Sequence, residues 1–260
     1  MFSNVNRSIP SLQDLLNLIY PRICLQCGDS INGTGGRVVT DRERTVPHDF
    51  CPPCWGTIHR LDGPRCPICA VPLASEAALS HSPDHRCGEC RERPPAFSHA
   101  ITPFVYEGAL AKAIHLLKYQ KQIRIAGHLV QLFINDLLLL KVDRVMAIPL
   151  HPRRLRDREF NQSLLLADRV SRLLSIPLLI DAMQRVRETP PQVGLSKKAR
   201  KKNIHRAFKV VGPESVRDQR ILLIDDVYTT GATLKEGAKT LIRNGAKEVV
   251  VATPARMVSI

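Results

Sequence analysis

The sequence predicts an α/β protein with a parallel sheet flanked by helices, preceded by a small cysteine-rich module. From about residue 98 onward, apolar runs of strand length alternate with segments of helical periodicity, which is typical of such a sheet. All eight cysteines of the 260-residue chain lie before residue 91. The chain therefore combines a sheet domain with a separate module that is rich in thiols.

The cysteine distribution also predicts the domain limits. Residues 91–95 contain charged residues and two prolines, as a linker does. We expect the cysteine module at 23–93 and the sheet domain at 98–260. Residues 1–22 are predicted to hold an amphipathic helix that packs on another element, because apolar residues recur there at helical spacing. These residues are Ile9, Leu12, Leu15, Leu16 and Ile19.

The cysteines form four Cys-x-x-Cys pairs, which predict two structural zinc sites. The amino end lacks the pattern of a secretion signal, and residues 132–142 are too short to cross a bilayer. We therefore expect a cytoplasmic protein, whose thiols stay reduced and free to bind metal. The pairs are Cys24/Cys27, Cys51/Cys54, Cys66/Cys69 and Cys87/Cys90.

Two ways of sharing the metals are compatible with the spacing. Sequential sharing places the first four cysteines on one Zn²⁺ and the last four on another, as in two successive zinc ribbons. Crossed sharing places Cys24/Cys27 and Cys66/Cys69 on the same ion. Thioredoxin-like redox chemistry is a weaker alternative, because such proteins usually carry one motif of this kind.

The order of strands and helices follows from the apolar pattern of the sheet domain. Strands are predicted at 101–106, 142–148, 221–224 and 248–253, and helices at 107–119, 123–140, 161–174 and 234–244. Neither a Gly-x-Gly-x-x-Gly fingerprint nor a P-loop occurs in the sequence. A Rossmann dehydrogenase and a P-loop NTPase are therefore disfavoured.

The segment 221–234 predicts a phosphate site beside two acids. Its four branched apolar residues indicate a buried parallel strand, so Asp225 and Asp226 follow the carboxyl end of that strand. Open α/β sheets bind their ligands at such ends. The next turn offers hydroxyls, a glycine and the amides of a helix N-terminus, which together suit a phosphate. A helix cap alone needs only one such side chain. The turn consists of Thr229, Thr230, Gly231, Ala232 and Thr233.

A second strand end carries arginines. The strand that ends at Ile148 is followed by a segment predicted as a loop, with His151, Arg153 and Arg154 near its start. The planar guanidinium fork suits bidentate contact with phosphate oxygens. We expect these three residues to bind a pyrophosphate group.

Positive charge is concentrated in one part of the chain. The formal net charge is +14, and residues 185–206 hold eight Lys or Arg against the single acid Glu188, a net +7. Such a cluster favours an anionic partner on that surface. The residues predicted to form this flexible basic loop are Arg187, Lys197, Lys198, Arg200, Lys201 and Lys202.

Taken in order, these motifs resemble the ComF/GntX family of type I phosphoribosyltransferase-like proteins with an N-terminal double zinc ribbon. The segment 221–234 resembles the 5-phosphoribosyl-1-pyrophosphate (PRPP) signature, four apolar residues and two acids followed by Thr-Gly-x-Thr. The resemblance also covers the arginine segment, Phe160-Asn161-Gln162, and the loop with Thr189, Gln192, Arg200, Asn203 and Ala207-Phe208. Glu159 departs from the family pattern, which has glycine there.

The resemblance implies PRPP binding with Mg²⁺. Asp225 and Asp226 would hold the ribose hydroxyls, the turn 229–233 the 5-phosphate, and the arginine segment the pyrophosphate. Family members are linked to DNA uptake in natural transformation, and in some bacteria to gluconate utilisation. Single-stranded DNA and DNA-uptake proteins are therefore expected partners, with DNA on the basic surface.

The resemblance leaves the chemistry open between two hypotheses. One is a PRPP-binding protein that engages single-stranded DNA; the other is an active phosphoribosyltransferase of nucleotide metabolism or salvage, with an unidentified acceptor. The 6-oxopurine salvage enzymes have an Asp proton acceptor where this chain has Thr229, so hypoxanthine or guanine salvage is disfavoured. His151 and His205 are the remaining candidates for a general base, and no catalytic residue is assigned.

Overall fold

A computed structural model describes residues 21–31, 47, 49–73, 85–189 and 203–258. The predicted N-terminal helix, Gln192 and the basic residues 197–202 lie outside the described residues. The chain forms two compact units, residues 1–57 and residues 58–260. The predicted limits of 23–93 and 98–260 for the two domains stay a prediction.

The described part of the first unit contains a cysteine knuckle and a short helix. Ile23 and Ser30 form an antiparallel bridge around the first Cys-x-x-Cys pair. Helix α1 (Pro52–Gly56) begins directly after Cys51, with proline in its first turn, where no N–H is needed. The rings of Phe50 and Trp55, both buried, lie 5.2 Å apart.

The second unit contains a five-stranded parallel sheet in the order β1-β9-β7-β3-β4. Its strands are β1 (Ala100–Ile101), β3 (Arg144–Ala147), β4 (Leu178–Leu179), β7 (Arg220–Ile224) and β9 (Glu248–Ala252). Two smaller sheets accompany it. β2 (Phe104–Val105), β10 (Ala255–Arg256) and β8 (Val227–Tyr228) pair in parallel, and β5 (Met183–Arg185) pairs antiparallel with β6 (Phe208–Val210).

The helices of the second unit bury their apolar faces on this sheet or on each other. They are α2 (Gly88–Glu92), α3 (Gly108–Tyr119), α4 (Ile125–Phe133), α5 (Pro152–Arg158), α6 (Gln162–Leu174) and α7 (Ala232–Arg243), with short 3-10 helices at Ile134–Leu137 and Pro213–Ser215. Among the described residues no helix is both long and apolar enough to cross a membrane.

The hydrophobic core of the second unit includes a cysteine centre. Cys66, Cys69 and Cys90 are buried in the same cluster as Tyr228 of β8 and Leu234 of α7. The last four cysteines therefore belong to the core that supports the sheet.

Three predicted elements differ from the structure. The strand at 101–106 is divided into β1 and β2 at Pro103, which cannot donate a ladder hydrogen bond. The helix at 123–140 is α4 followed by a 3-10 turn. The arginine segment is not a loop: α5 begins at Pro152, and the preceding His151 caps it by accepting a hydrogen bond from Arg153 N–H at 3.3 Å.

The residue that departs from the family pattern lies at the end of α5. Glu159 has φ of 65°, in the left-handed region that glycine adopts without strain. Its carboxylate accepts a hydrogen bond from Lys121 at 2.5 Å, in an exposed pair. The backbone conformation that suits glycine is thus retained with a glutamate.

The strand order creates a cleft between β3 and β7. The chain runs from β3 outward to β4, whereas β7 lies on the other side of β3 and is followed outward by β9. Such a switch point leaves room for a ligand at the carboxyl ends of the two strands. Ile148 N–H donates to Ile224 O at 2.9 Å, so the arginine segment and the acid pair leave the sheet side by side.

Candidate functional site

The acid pair lies at the carboxyl end of β7, as predicted. Asp225 N–H donates to Ala252 O at 3.1 Å, which holds the backbone against the end of β9. The Asp225 Oδ1 atom accepts from Ser163 Oγ at 2.8 Å and from Asp226 N–H at 2.9 Å. The hydrogen bonds that described residues donate to the Asp225 carboxylate thus end on Oδ1.

The environment of Asp225 disfavours its negative charge. Burial raises the pKa of the Asp225 carboxyl to about 7, and the charge of Asp226 adds to the shift. The hydroxyl of Ser163 and the ammonium of Lys118 act in the opposite direction. Hydroxyl groups of a ligand that donate hydrogen bonds to Asp225 would therefore favour the ionised form of its carboxyl near neutral pH.

Lys118 is a site residue that sequence analysis did not find. Its Nζ atom lies 2.7 Å from Asp226 Oδ1, and the two side chains are only 19% and 13% exposed. Burial opposes the Lys118 charge, but the charge and hydrogen bond of Asp226, together with the charge of Asp225, outweigh burial and raise the pKa of the ammonium. Its position, one helical turn after the buried Ile114 of α3, was a signal that this lysine points inward.

The turn 229–233 forms a small open concavity together with Asp225. Gly231 has φ of 70° and is the N-cap of α7. A Cβ atom there would lie 2.3 Å from the Tyr228 hydroxyl oxygen, so a larger residue would clash as well as be strained. Thr230 Oγ1 accepts from Ala232 N–H at 3.4 Å. The first amides of α7 have no carbonyl partner within the helix, which suits an anion.

The predicted pyrophosphate residues lie on α5 and at its cap. Arg153 pairs with Glu188 at 3.0 Å, and Arg154 Nη2 donates to Thr189 O at 2.7 Å. Burial and the charge of Arg158 lower the pKa of the Arg154 guanidinium. His151 serves as the helix cap, so its Nδ1 atom is already engaged.

Arg185 is a second residue that sequence analysis did not assign to the site. It is 5% exposed, and its Nη2 atom donates to Thr189 Oγ1. Burial and the charge of Arg154 lower the pKa of the Arg185 guanidinium to about 10, whereas the negative charge of Asp225 acts in the opposite direction. The charges of both Arg154 and Asp225 therefore act on the buried Arg185.

Only one member of the predicted basic loop is described by the structure. Arg187 Nη2 donates to Asn203 O at 2.6 Å, which joins the two ends of the segment that follows β5. Asp225 and the turn 229–233 line one concavity, and α5 with its arginines follows the neighbouring strand β3. Lys197, Lys198, Arg200, Lys201 and Lys202 stay a prediction.

The cysteines form two tetrads by sequential sharing, and crossed sharing is wrong. In each tetrad the ligand atoms all lie within 4.8 Å of one another. The Cys27 and Cys51 Sγ atoms are 3.8 Å apart, and those of Cys69 and Cys87 are 3.6 Å apart. A tetrahedral zinc with Zn–S bonds of about 2.3 Å separates its sulfurs by about 3.8 Å. Both sets of residues therefore fit Zn²⁺, in closed sites with four thiolates.

Backbone amides prepare one thiolate in each tetrad. Cys51 N–H donates to Cys24 Sγ at 3.3 Å, and Cys87 N–H donates to Cys66 Sγ at 3.4 Å. Burial opposes the thiolate, but the amides outweigh burial and lower the pKa of Cys24 to about 6 and that of Cys66 to about 7. The thiolate is the form that binds metal.

Two family models match the chain. The model of the phosphoribosyl transferase domain matches residues 161–257, and that of the double zinc ribbon domain matches residues 15–91. Together with the parallel sheet and the two tetrads, they define the class of protein. It is a type I phosphoribosyltransferase-like fold preceded by a double zinc ribbon.

Relatives place the chain more narrowly. It is 37% identical over 199 residues to the DNA utilization protein YhgH of Escherichia coli K12, covering 74% of this chain and 84% of that protein. It is 31% identical over 215 residues to competence protein F of Haemophilus influenzae, and the match covers 77% of this chain and 94% of that protein. The Bacillus subtilis competence protein ComFC is 24% identical over 243 residues, covering 87% and 91%. The chain belongs to the ComF family.

Solved structures are similar over part of the chain. The glutamine PRPP amidotransferase of B. subtilis, complexed with ADP and GMP, is 18% identical with a TM-score of 0.35, covering 50% of this chain and 26% of that one. A purine phosphoribosyltransferase from Pyrococcus horikoshii is 20% identical with a TM-score of 0.34, covering 52% and 76%.

Proposed function

We propose that this protein binds PRPP together with Mg²⁺ in the cleft between β3 and β7. The observation that carries the proposal is the position of Asp225 and Asp226 beside the turn 229–233, at the switch point of the sheet. Two carboxylates suit two neighbouring hydroxyl donors, and a helix N-terminus preceded by Gly231 suits a phosphate. The ribose hydroxyls and the 5-phosphate of PRPP offer this combination.

The remaining charges fit the pyrophosphate. Arg153 and Arg154 lie on α5, after the neighbouring strand. Among the described residues the Arg153 guanidinium pairs with Glu188 and that of Arg154 with the Thr189 carbonyl, and an incoming anion can replace these partners. Mg²⁺ would bind as the chelate of the pyrophosphate oxygens and supply charge neutralisation there. Lys118 offsets one charge of the acid pair, which lowers the repulsion between the carboxylates and an anionic ligand.

The same protein is proposed to act in DNA utilization by binding single-stranded DNA. The relatives named for DNA utilization and competence support this role, and the net +7 of residues 185–206 supports a basic surface. Aromatic residues make up 5% of the chain, which favours binding along the phosphate backbone over base stacking. The eight cysteines form no disulfide, and thiolates that bind metal persist in reducing surroundings, which supports a cytoplasmic protein.

Calorimetric titration with PRPP and MgCl₂ tests the ligand. We expect one PRPP per chain, and loss of binding in the double variant Asp225→Asn, Asp226→Asn. Asp168→Asn is the matched control, because that carboxylate pairs with Arg172 on the surface of α6. Absence of binding by the unmodified protein, or equal binding by the double variant, would remove PRPP from the proposal.

Fluorescence polarisation with a labelled single-stranded oligonucleotide tests the DNA surface. Neutralising the five basic residues at 197, 198 and 200–202 should weaken binding. The slope of log affinity against log salt concentration should decrease by about 3.5 at most, because each phosphate contact with single-stranded DNA contributes about 0.7. The control neutralises an equal number of basic residues on α6, α7 and the turn after α7: Arg169, Arg172, Lys239, Arg243 and Lys247. If the two variants bind DNA equally, the loop is not the DNA surface.

Release of pyrophosphate from PRPP separates binding from transfer. Threonine at position 229 cannot accept a proton from an acceptor near neutral pH. We expect PRPP to stay intact with the free protein and with hypoxanthine or guanine. Release that depends on one added acceptor would instead establish a phosphoribosyltransferase.

A further inference from the structure

We propose that the second cysteine tetrad, when loaded with its metal, positions the phosphate-binding turn through Arg256 and Glu89. Cys66, Cys69, Cys87 and Cys90 form this tetrad, and three of them are buried in the same core as Tyr228 and Leu234, which flank the turn 229–233. The proposal assigns Arg256 and Glu89 as positioning residues of this turn. It rests on the proposed binding of a sugar phosphate at this turn.

The first connection runs through Arg256. Its side chain is 5% exposed, and its Nη1 atom donates to the carbonyl oxygen of Cys69, a residue of the tetrad. The guanidinium carbon lies 4.5 Å from the centre of the Tyr228 ring. Strand pairing holds the two together, since Arg256 lies opposite Tyr228 and Met257 N–H donates to Tyr228 O at 2.9 Å.

Tyr228 transmits this contact to the turn. Its hydroxyl lies so close to Gly231 that a Cβ atom on the glycine would approach within 2.3 Å of the oxygen. The conformation of Gly231, with φ of 70°, sets the direction of the first amides of α7. Since these amides are the proposed phosphate donors, a shift of the Tyr228 ring moves the phosphate site.

The second connection reaches the other side of the turn. Helix α2 carries Cys90, and its Glu89 accepts from Lys235 Nζ at 2.7 Å. Lys235 is in the first turn of α7, where its N–H donates to Gly231 O at 2.8 Å. Through Glu89, the helix that carries Cys90 is thus tied to the helix whose N-terminus would bind phosphate.

These contacts make the metal and the sugar phosphate thermodynamically linked. A metal bound by four thiolates fixes the Cys69 knuckle and α2 to one another, and removal of the metal removes those four bonds. If the metal favours the turn geometry that binds phosphate, phosphate must in turn favour retention of the metal, by the same factor. The first tetrad, which lies in the other compact unit, supplies an internal reference.

The linkage can be measured on the unmodified, zinc-loaded full chain. The probe is ribose 5-phosphate, added to saturation before a zinc chelator and N-ethylmaleimide, and mass spectrometry then follows the alkylation of each cysteine. We expect ribose 5-phosphate to slow alkylation of Cys66, Cys69, Cys87 and Cys90 by about fivefold or more, and that of the first tetrad to change little. Equal rates with and without ribose 5-phosphate at the second tetrad would overturn the inference.

Calorimetry on the same samples separates this failure from failure of the proposed ligand. If ribose 5-phosphate binds but does not protect the second tetrad, the linkage is absent while the sugar-phosphate site stands. If ribose 5-phosphate and PRPP both fail to bind, the proposed function itself fails and the inference fails with it.

Two variants test the individual connections. Arg256→Met should weaken ribose 5-phosphate binding by about tenfold, within the range of coupling between linked sites. Glu89→Gln should weaken it by about twofold, because the Glu89–Lys235 pair is partly exposed. Glu92→Gln, on the same helix, is the control and should bind as the unmodified protein does. Unchanged affinity in Arg256→Met protein that retains both zinc ions would refute the positioning role.

Discussion

The two cysteine tetrads are built alike but lie in different surroundings. In each, the first Cys-x-x-Cys pair forms a knuckle closed by a backbone hydrogen bond, from Gly28 N–H to Cys24 O at 2.9 Å and from Ala70 N–H to Cys66 O at 2.8 Å. In each, the second pair begins a five-residue helix, α1 or α2. The local chain therefore forms the same metal site twice.

The surroundings separate the two tetrads. In the first, Cys27 is exposed and only Cys24 is buried; in the second, three of four cysteines are buried in the core of the sheet domain. The second tetrad also contacts Arg256, and its helix contacts Lys235. One motif therefore serves as a local staple in one unit and as a support of the ligand cleft in the other.

The largest expected effect comes from removing one ligand of each tetrad. Loss of a structural zinc removes on the order of 10 kcal/mol from the folding of small zinc modules. Cys90→Ser should lose one zinc, unfold or melt far below the unmodified protein, and lose ribose 5-phosphate binding. Cys54→Ser should also lose one zinc but keep both the main thermal transition and ligand binding. Zinc analysis, calorimetry and thermal unfolding measure these results, and equal damage by both variants would contradict the comparison.

Removal of the buried Lys118 ammonium in the second unit should have a smaller effect on stability. Lys118→Met leaves the Asp226 carboxylate buried without its cation, which costs about 3 kcal/mol of unfolding free energy. Both zinc ions should remain, since Lys118 contacts the acid pair. Lys121→Met is the control, because the Lys121–Glu159 pair is exposed and contributes little. Urea unfolding checks the difference, and similar midpoints for the two variants would show that the Lys118 pair is not a buried one.

The pH dependence should distinguish the acid pair from the tetrads. The pKa of Asp225 is raised from 3.8 to about 7 in the folded protein. Between these two pH values the folded state therefore binds more protons at Asp225 than the unfolded state does. Its contribution to stability is therefore largest below about pH 3.8 and decreases as the pH rises to about 7. Zinc binding changes in the opposite direction, since thiols must lose protons.

Asp225→Asn isolates this contribution. As the pH rises through this window at constant zinc occupancy, the unmodified protein should lose free energy of unfolding. The variant lacks the titrating carboxyl and should not show this loss. Unfolding curves at about pH 5 and about pH 7, both within this window, measure it. A difference that does not change with pH would show that Asp225 titrates normally.

The smallest effect concerns the two knuckles themselves. Gly28 has φ of 83° and Ala70 has φ of 57°, so the same left-handed position holds glycine in one ribbon and alanine in the other. Gly28→Ala should destabilise the first unit by about 1 kcal/mol. Ala70→Gly should change stability by less, since relief of strain is offset by loss of a buried methyl group. Zinc retention in a chelator series provides the measurement, and a larger effect at position 70 would contradict the equivalence.

The sequence was sufficient where the signal is local. Spacing predicted the ligands of both tetrads, and the apolar run 221–224 placed Asp225 and Asp226 at a strand end. It was wrong for α5, because several arginines after a proline were interpreted as a basic loop although they also favour a helix.

The remaining features depend on pairs that are far apart in the chain. Lys118 meets Asp226, Glu89 meets Lys235, and Cys69 meets Arg256 only after the sheet has formed. No periodicity or motif links such positions in a single sequence. The support of the cleft by the second tetrad could therefore be recognised only from the structure.

The most direct test of the account is a crystal structure of the zinc-loaded protein with PRPP and Mg²⁺. The account predicts the 5-phosphate on the amides and hydroxyls of the turn 229–233, the ribose hydroxyls on Asp225 and Asp226, and the pyrophosphate directed toward Arg153 and Arg154. PRPP bound elsewhere, or bound in the cleft with its ribose away from the acid pair, would contradict it.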